Sequence, residues 1–213
     1  MNKNEITIVI CCAGMGTRLG IGSTKALLNI AGKSLIIRIL DLLWNYDDIR
    51  IVVGYQAEKI IQEVTNYRKD IMFVFNRDFA TTGVAASLKK ALPCSRKYVV
   101  EIDGDLLVNS EDFNAFMECP QECLGINTIR SDNPVLVNTE GDAVVNFSLE
   151  DGNYEWTGLA KIESKKLEKD ASYIYQMLQP LLPLPYVKVR ARDIDTAEDY
   201  EKAVLWFKGK CLD

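Results

Sequence analysis

A near-continuous run of β-branched and apolar residues, Ile6-Thr7-Ile8-Val9-Ile10-Cys11-Cys12, passes straight into a glycine-rich bend, and the chain then repeats this change of period. A strand with so little polar alternation is one covered on both faces, the habit of parallel sheets. From Gly32 the apolar residues Leu35, Ile36, Ile39, Leu40, Leu43 and Trp44 recur at helical spacing, predicting a helix that ends near Asn45. A strand at 49–53, a helix at 57–67, a strand at 71–75, a helix at 84–92 and a strand at 97–102 continue the pattern. Such alternation predicts an α/β fold with a mostly parallel central sheet, right-handed crossovers and helices on both faces. Ligands of these sheets sit beyond the carboxyl ends of the strands. The bend after the first strand and the acidic turn after Ile102 both fall there.

Beyond Asp112 the periodicity loosens. Strand-like stretches at 124–129, 134–137, 143–147 and 156–162 are separated by turn-forming Asp132-Asn133-Pro134, Glu140-Gly141-Asp142 and Asp151-Gly152-Asn153. They are expected as mixed or antiparallel strands that extend the sheet and fold over a site as a lid for a second substrate. A helix over 164–178, a strand over 186–189 and a helix over 196–207 are expected to close the chain, with Pro180, Pro183 and Pro185 in the connection. A chain of 213 residues, 48% of them hydrophobic, suffices for one well-buried core. A single domain over 1–213 is expected, with halves at 1–110 and 111–213.

Histidine is absent, which removes Ser-His-Asp and Cys-His nucleophilic catalysis and every His-ligated metal. Chemistry must come from carboxylates, lysine, arginine or the backbone. The 6 cysteines are scattered along a chain whose opening Met1-Asn2-Lys3-Asn4-Glu5 lacks the layout of an export signal, so a cytoplasmic protein with reduced thiols is expected. Cys119 and Cys123 supply at most half of a zinc site. The most apolar stretch, 35–44, is broken by Arg38 and Asp41, so no membrane span is expected. A net charge of −5 without any basic run argues against nucleic acid and anionic membranes as partners. A polyanionic ligand then needs cations placed locally.

Cys12-Ala13-Gly14-Met15-Gly16-Thr17-Arg18-Leu19-Gly20, followed by Lys25, offers them. Glycines let the backbone N–H groups turn toward an anion, and Arg18 and Lys25 supply charge-assisted contacts to phosphate oxygens. The segment fits neither the P-loop, which ends in Gly-Lys-Ser/Thr, nor the dinucleotide fingerprint, whose third glycine would stand at Leu19. The strand Val99-Val100-Glu101-Ile102 runs into Asp103-Gly104-Asp105, two carboxylates that suit an oxygen site for Mg²⁺ or form an ordinary acidic turn. In Asp193-Ile194-Asp195-Thr196-Ala197-Glu198-Asp199-Tyr200, Asp195 or Thr196 reads locally as a helix N-cap with acidic residues in the first turn.

These three segments, in this order, resemble the signature of the nucleotidyltransferase superfamily that makes nucleotide sugars and related activated compounds. The resemblance implies a Rossmann-like fold of the nucleotide-diphospho-sugar transferase type. It implies that Ala13, Gly14, Met15, Gly16 and Thr17 wrap the phosphates of a nucleoside triphosphate, that Arg18 and Lys25 contact them, and that Asp105 and Asp195 hold Mg²⁺ with Asp103 assisting. Lys25, Arg18 and Asp105 are then the catalytic set. Small size, and the ending without an appended left-handed β-helix, are similar to the compact cytidylyltransferase branch that includes bacterial phosphocholine cytidylyltransferases. Gly54, Tyr55, Asn76 and Ser87 match its base-proximal segments. Thr81-Thr82-Gly83-Val84 departs from that branch, leaving open CTP with a phosphocholine-like, phosphonate or sugar phosphate acceptor, or UTP or GTP with a sugar 1-phosphate. Glu155, Trp156 and Thr157 lie where the family contacts its acceptor, although Trp156 reads equally as a core aromatic. A nucleotide-binding regulatory module is the non-enzymatic alternative, and a monomer or homodimer is expected.

Overall fold

Strand β1 (Ile6–Cys12) is the hub of the computed structural model, which describes residues 2–16 and 22–209. It pairs in parallel with β4 (Ile49–Val53) on one side and with β6 (Tyr98–Asp103) on the other, in registers that set Ile8 opposite Ile49 and Val100. β5 (Met72–Phe75) extends the sheet beyond β4. On the far side lie β11 (Tyr154–Glu163), β8 (Cys123–Asn127), β12 (Leu184–Lys188), β10 (Ala143–Ser148) and β9 (Leu136–Glu140). The order is β5-β4-β1-β6-β11-β8-β12-β10-β9, and the pairings leave only β10 and β11 running against the rest.

Helices cover both faces. Apolar residues of α1 (Leu35–Leu42), α2 (Ala57–Tyr67) and α4 (Ser110–Glu118) pack on one face with Ile8, Ile10, Val100 and Ile102. Those of α3 (Val84–Ala91) and α5 (Ile174–Leu178) pack on the other with Val9, Val52 and Val99. A third, small cluster joins Ile30 and Leu35 to Leu107, Ile194 and Ala203, so that α6 (Ala197–Phe207) seats on the hairpin of β2 (Asn29–Ile30) and β3 (Lys33–Ser34) and on β7 (Leu106–Val108). No helix among the described residues is long and apolar enough to cross a membrane.

Two expectations need correction. The helix expected over 164–178 is a single 3-10 turn, Ser164–Lys166, followed by a loop and the short α5. The loop is held by tertiary contacts that compete with helix formation: the Ser172 carbonyl accepts from the Ala85 amide, and Lys89 pairs with Asp170. Conversely, α4 occupies a stretch where no helix was expected. Asn109 caps it by accepting from the amides of Glu111 and Asp112, and Phe113, Phe116 and Met117 form its buried face.

Candidate active site

The bend beyond β1 is shaped by what crosses it. Gly16 sits at φ +58°, and a Cβ there would lie 3.0 Å from Cγ of Lys25, so the lysine stem passes directly over the glycine. Thr17 and Arg18 lie outside the described residues. The chain returns through Gly22, at φ +62°, and the 3-10 turn Lys25–Leu27 starts the approach to α1.

Lys25 Nζ donates to Asp105 Oδ2 at 2.7 Å and also to Asp195 Oδ1. Three residues separated by 80 and 170 positions therefore meet at one ammonium group. The device that joins them is local. β6 ends at Asp103, Gly104 turns the chain, and β7 leaves Asp105 at its start. A Cβ on Gly104 would lie 2.4 Å from Cys12 Sγ and 2.8 Å from the Cys11 carbonyl oxygen, so only glycine lets this turn rest on β1. β7 pairs antiparallel with β13 (Ala191–Asp193), Leu106 opposite Asp193, which carries Asp195 to the same place. Thr196 then caps α6 reciprocally with Asp199, fixing Asp195 at the entrance of that helix.

The electrostatics are those of a crowded acidic site into which Lys25 brings a positive charge. Burial alone lowers the Lys25 pKa, but Asp105 and Asp195 outweigh it and hold the ammonium above its usual range. Asp103 is pushed up to about 8 by burial and by Asp105, against the opposing pull of Lys25. Asp193 is raised by burial and then by Asp105 and Asp103. Deeper in β6, Glu101 is 1% exposed and neither carboxylate oxygen has a hydrogen-bond partner among the described residues. The Cys11 thiol lies beside it without making a well-directed bond, and burial followed by repulsion from Asp103 raises this carboxyl well above the ordinary value.

A cleft of about 350 Å³ opens over these groups, running from Gly14, Gly16, Lys25 and Asp105 at its charged end to Phe79, Thr82, Gly83 and Ser87 at its neutral end. Ala13 and Asp103 line it, while Met15 is 40% exposed beside it. Ser87 lines the floor and accepts from Asn76 Nδ2 at 2.9 Å, so Asn76, itself 1% exposed, supports the wall from behind. Gly54 and Tyr55 are likewise supports. The Tyr55 amide donates to the Ala13 carbonyl at 3.1 Å, and a Cβ on Gly54 would lie 2.8 Å from both that oxygen and Phe79 Cβ.

Glu155, Trp156 and Thr157 are placed differently from one another. Glu155 accepts from the amides of Arg130 and Ser131, both at 3.0 Å, and borders a smaller cleft of about 100 Å³ that also reaches Asp193 and Asp195. Trp156 donates its indole N–H to the Leu159 carbonyl and packs edge-on against Phe147. Thr157 is buried under β8, with its hydroxyl near Gly125. The β-bulge between Trp156 and Ala160 brings Gly158, at φ +74°, against Asp103: a Cβ there would lie 2.4 Å from Asp103 Oδ2.

A metal ion finds two carboxylates here. Asp105 and Asp195 already share one cationic group, the ammonium of Lys25, and this donor set fits Mg²⁺, which takes one or two carboxylates and completes its shell with phosphate and water oxygens. Among the described residues no three His, Cys, Asp or Glu side chains are grouped as a full protein cage.

Sequence reasoning did not single out Glu101, Asp193 or Gln56, which adjoin the site. Alternation along Asp193-Ile194-Asp195 was the available signal for Asp193; Glu101 is legible only as a carboxylate inside an apolar strand, and Gln56 carries no sequence signal.

Comparison with known proteins gives a consistent picture. Bifunctional protein GlmU of Sulfurimonas denitrificans is 31% identical over 120 residues, covering 55% of this chain and 27% of that protein. The chain thus spans under a third of the length of the first curated relatives it matches. Among solved structures, the inositol-1-phosphate CTP transferase from T. maritima superposes with a TM-score of 0.77 at 19% identity, covering 98% of each chain. CTP:phosphocholine cytidylyltransferase (LicC) from Streptococcus pneumoniae gives 0.76 at 20% identity, covering 95% of this chain and 99% of that one. UDP-glucose pyrophosphorylase from Acinetobacter baumanii gives 0.74 at 12%, covering 94% and 92%. These likenesses establish a nucleotide-diphospho-sugar transferase fold. The family profile of the MobA-like NTP transferase domain matches residues 8–146, well over half of the chain, and the protein belongs to that nucleotidyltransferase family.

Proposed function

We propose that this protein transfers a nucleotidyl unit from a nucleoside triphosphate, CTP by preference, to a small phosphorylated acceptor, releasing pyrophosphate in a Mg²⁺-dependent reaction. The observation that carries this reading is the meeting of Lys25 with Asp105 and Asp195 beside the glycine bend. In the reaction an acceptor phosphate oxygen forms a bond to the α-phosphorus while the bond from that phosphorus to the β-phosphate bridging oxygen breaks, its electron pair leaving with pyrophosphate. The acceptor phosphate is ionised at neutral pH, so no general base is needed and the lack of histidine is no obstacle. Amides of Gly14 and Gly16 orient the triphosphate, and Lys25 balances charge on the leaving phosphates. Asp105 and Asp195 would hold the Mg²⁺, which supplies further charge neutralisation. Arg18 belongs to this set by its place in the motif.

The acceptor lies on the side of Glu155 and the smaller cleft, with a phosphocholine-like compound, a phosphonate or a sugar phosphate as candidates. A second reading, uridylyl or guanylyl transfer to a sugar 1-phosphate, draws support for the uridylyl case from the likeness to a UDP-glucose pyrophosphorylase. Pyrophosphate release measured with CTP, UTP, GTP and ATP across phosphocholine, phosphonate and sugar 1-phosphate acceptors separates the two. Binding of nucleotide without release for any pair would instead identify a regulatory module.

A further inference from the structure

Gln56 stands at φ 51°, ψ 36°, a left-handed conformation that is strained for a residue with a Cβ. Its Oε1 is buried without a donor among the described residues, a second cost. A glycine would be better on both counts. What glutamine adds is a long-range bond, Nε2 donating to the Gly22 carbonyl at 2.7 Å across 34 positions of sequence, beside a local one to the Tyr55 hydroxyl at 3.1 Å.

That bond completes a clamp. The turn of residues 54–56 already holds the start of the bend, through the Tyr55 amide on the Ala13 carbonyl and the close seat of Gly54 on the same oxygen. Gln56 holds the return of the bend at Gly22, three residues before Lys25. Between the two fixed points the Lys25 stem crosses Gly16 at contact distance. Fixing Ala13 and Gly22 from one rigid turn, at the junction of a buried strand and a helix, therefore sets where Lys25 lies relative to the bend.

Resting on the nucleotidyl-transfer reading for its kinetic consequence, we infer that Gln56 is a positioning residue that aligns Lys25 with the glycine bend by anchoring Gly22. It does not line the larger cleft. It acts through the backbone at 22–25, and its left-handed geometry is the condition for its side chain to reach that carbonyl.

The test is Gln56→Gly, which accepts the backbone conformation and removes the clamp, alongside Gln56→Lys, which keeps an N–H donor of similar reach. Hydrogen exchange at the amides of residues 22–25 is expected to quicken at least tenfold in Gln56→Gly while exchange in β1 stays at wild-type values and the melting temperature does not fall. kcat/KM for the nucleotide is expected to fall about 100-fold, the scale of a 1 Å misplacement, with the acceptor KM unmoved. Gln56→Lys is expected to recover most of both effects. Unchanged exchange at 22–25, or lost turnover accompanied by faster exchange throughout β1, overturns the inference. If the wild-type protein itself releases no pyrophosphate, the transfer reading fails, while the exchange data still decide whether Gln56 anchors Gly22.

Discussion

Gly158→Ala isolates the contact by which the antiparallel half of the sheet closes on the acidic cluster. Two separate costs arise. Alanine at φ +74° carries the left-handed penalty of about 1–2 kcal/mol. Its Cβ would stand 2.4 Å from Asp103 Oδ2, where ordinary contact begins at 3.4 Å, so the carboxylate must retreat by about 1 Å. The Asp103 backbone is fixed at the end of β6 opposite Cys11, so the side chain must turn away by itself, and the total is expected to reach about 2–3 kcal/mol, lowering the melting temperature by about 5–10 °C. A 1 Å displacement at the site is expected to lower turnover about 100-fold. Thermal melting followed by circular dichroism and a pyrophosphate-release assay read the two effects. The decisive comparison repeats the change in an Asp103→Ala background, where the clashing carboxylate is gone and only the backbone penalty remains. Equal destabilisation in both backgrounds, or wild-type turnover in Gly158→Ala, refutes the argument that this glycine exists to admit Asp103.

Other substitutions probe the remaining parts. Lys25→Ala is expected to weaken nucleotide binding and reduce turnover by about 10²–10³-fold, by analogy with a lost oxyanion donor; near-normal turnover removes Lys25 from the mechanism. Glu101→Met is expected to stabilise the fold, because it removes two unpartnered carboxylate oxygens from the core. The folded-state pKa of Glu101 is raised above 4.5, so the folded chain holds a proton that the unfolded chain releases, and its contribution is lost as pH rises above about 4.5. The melting-temperature gain of Glu101→Met should therefore be larger at pH 8 than at pH 5; a gain that shrinks with rising pH contradicts the sign. Lys161 is 0% exposed and donates to the carbonyls of Phe116, Met117 and Cys119 at the end of α4. Lys161→Met is expected to cost about 2–3 kcal/mol, read as a lower denaturation midpoint in urea, and an unchanged midpoint rejects that capping role.

The parallel half of the fold was legible because its strands are short, apolar and separated by helices with clear periodicity. α2 matches its predicted span of 57–67, since Ile60 and Val64 sit on one face and polar residues fill the other. The loop at 167–173 was not legible, because the bonds that break the helix come from Ala85 and Lys89, far away in sequence. β7 and β13 escaped notice for a related reason. At three residues each they have too little sequence to show a period, and each is defined by the other. Yet that pairing is what joins Asp105 to Asp195. The motif residues could be chosen from the sequence, while their common meeting point is a product of tertiary structure. Glu101 and Gln56 mark the opposite limit: both break local rules, a carboxylate in a core strand and a left-handed glutamine, and only the folded chain shows what surrounds them.

The central claim is spatial, and a crystal structure of the protein soaked with Mg²⁺ and a mixture of nucleoside triphosphates examines it most directly. The account predicts a triphosphate lying along Gly14 and Gly16, Lys25 on its phosphates, and one cation bound by both Asp105 and Asp195, with the ordered base reporting the preferred nucleotide. Triphosphate density away from the bend, or a cation that touches neither aspartate, contradicts it.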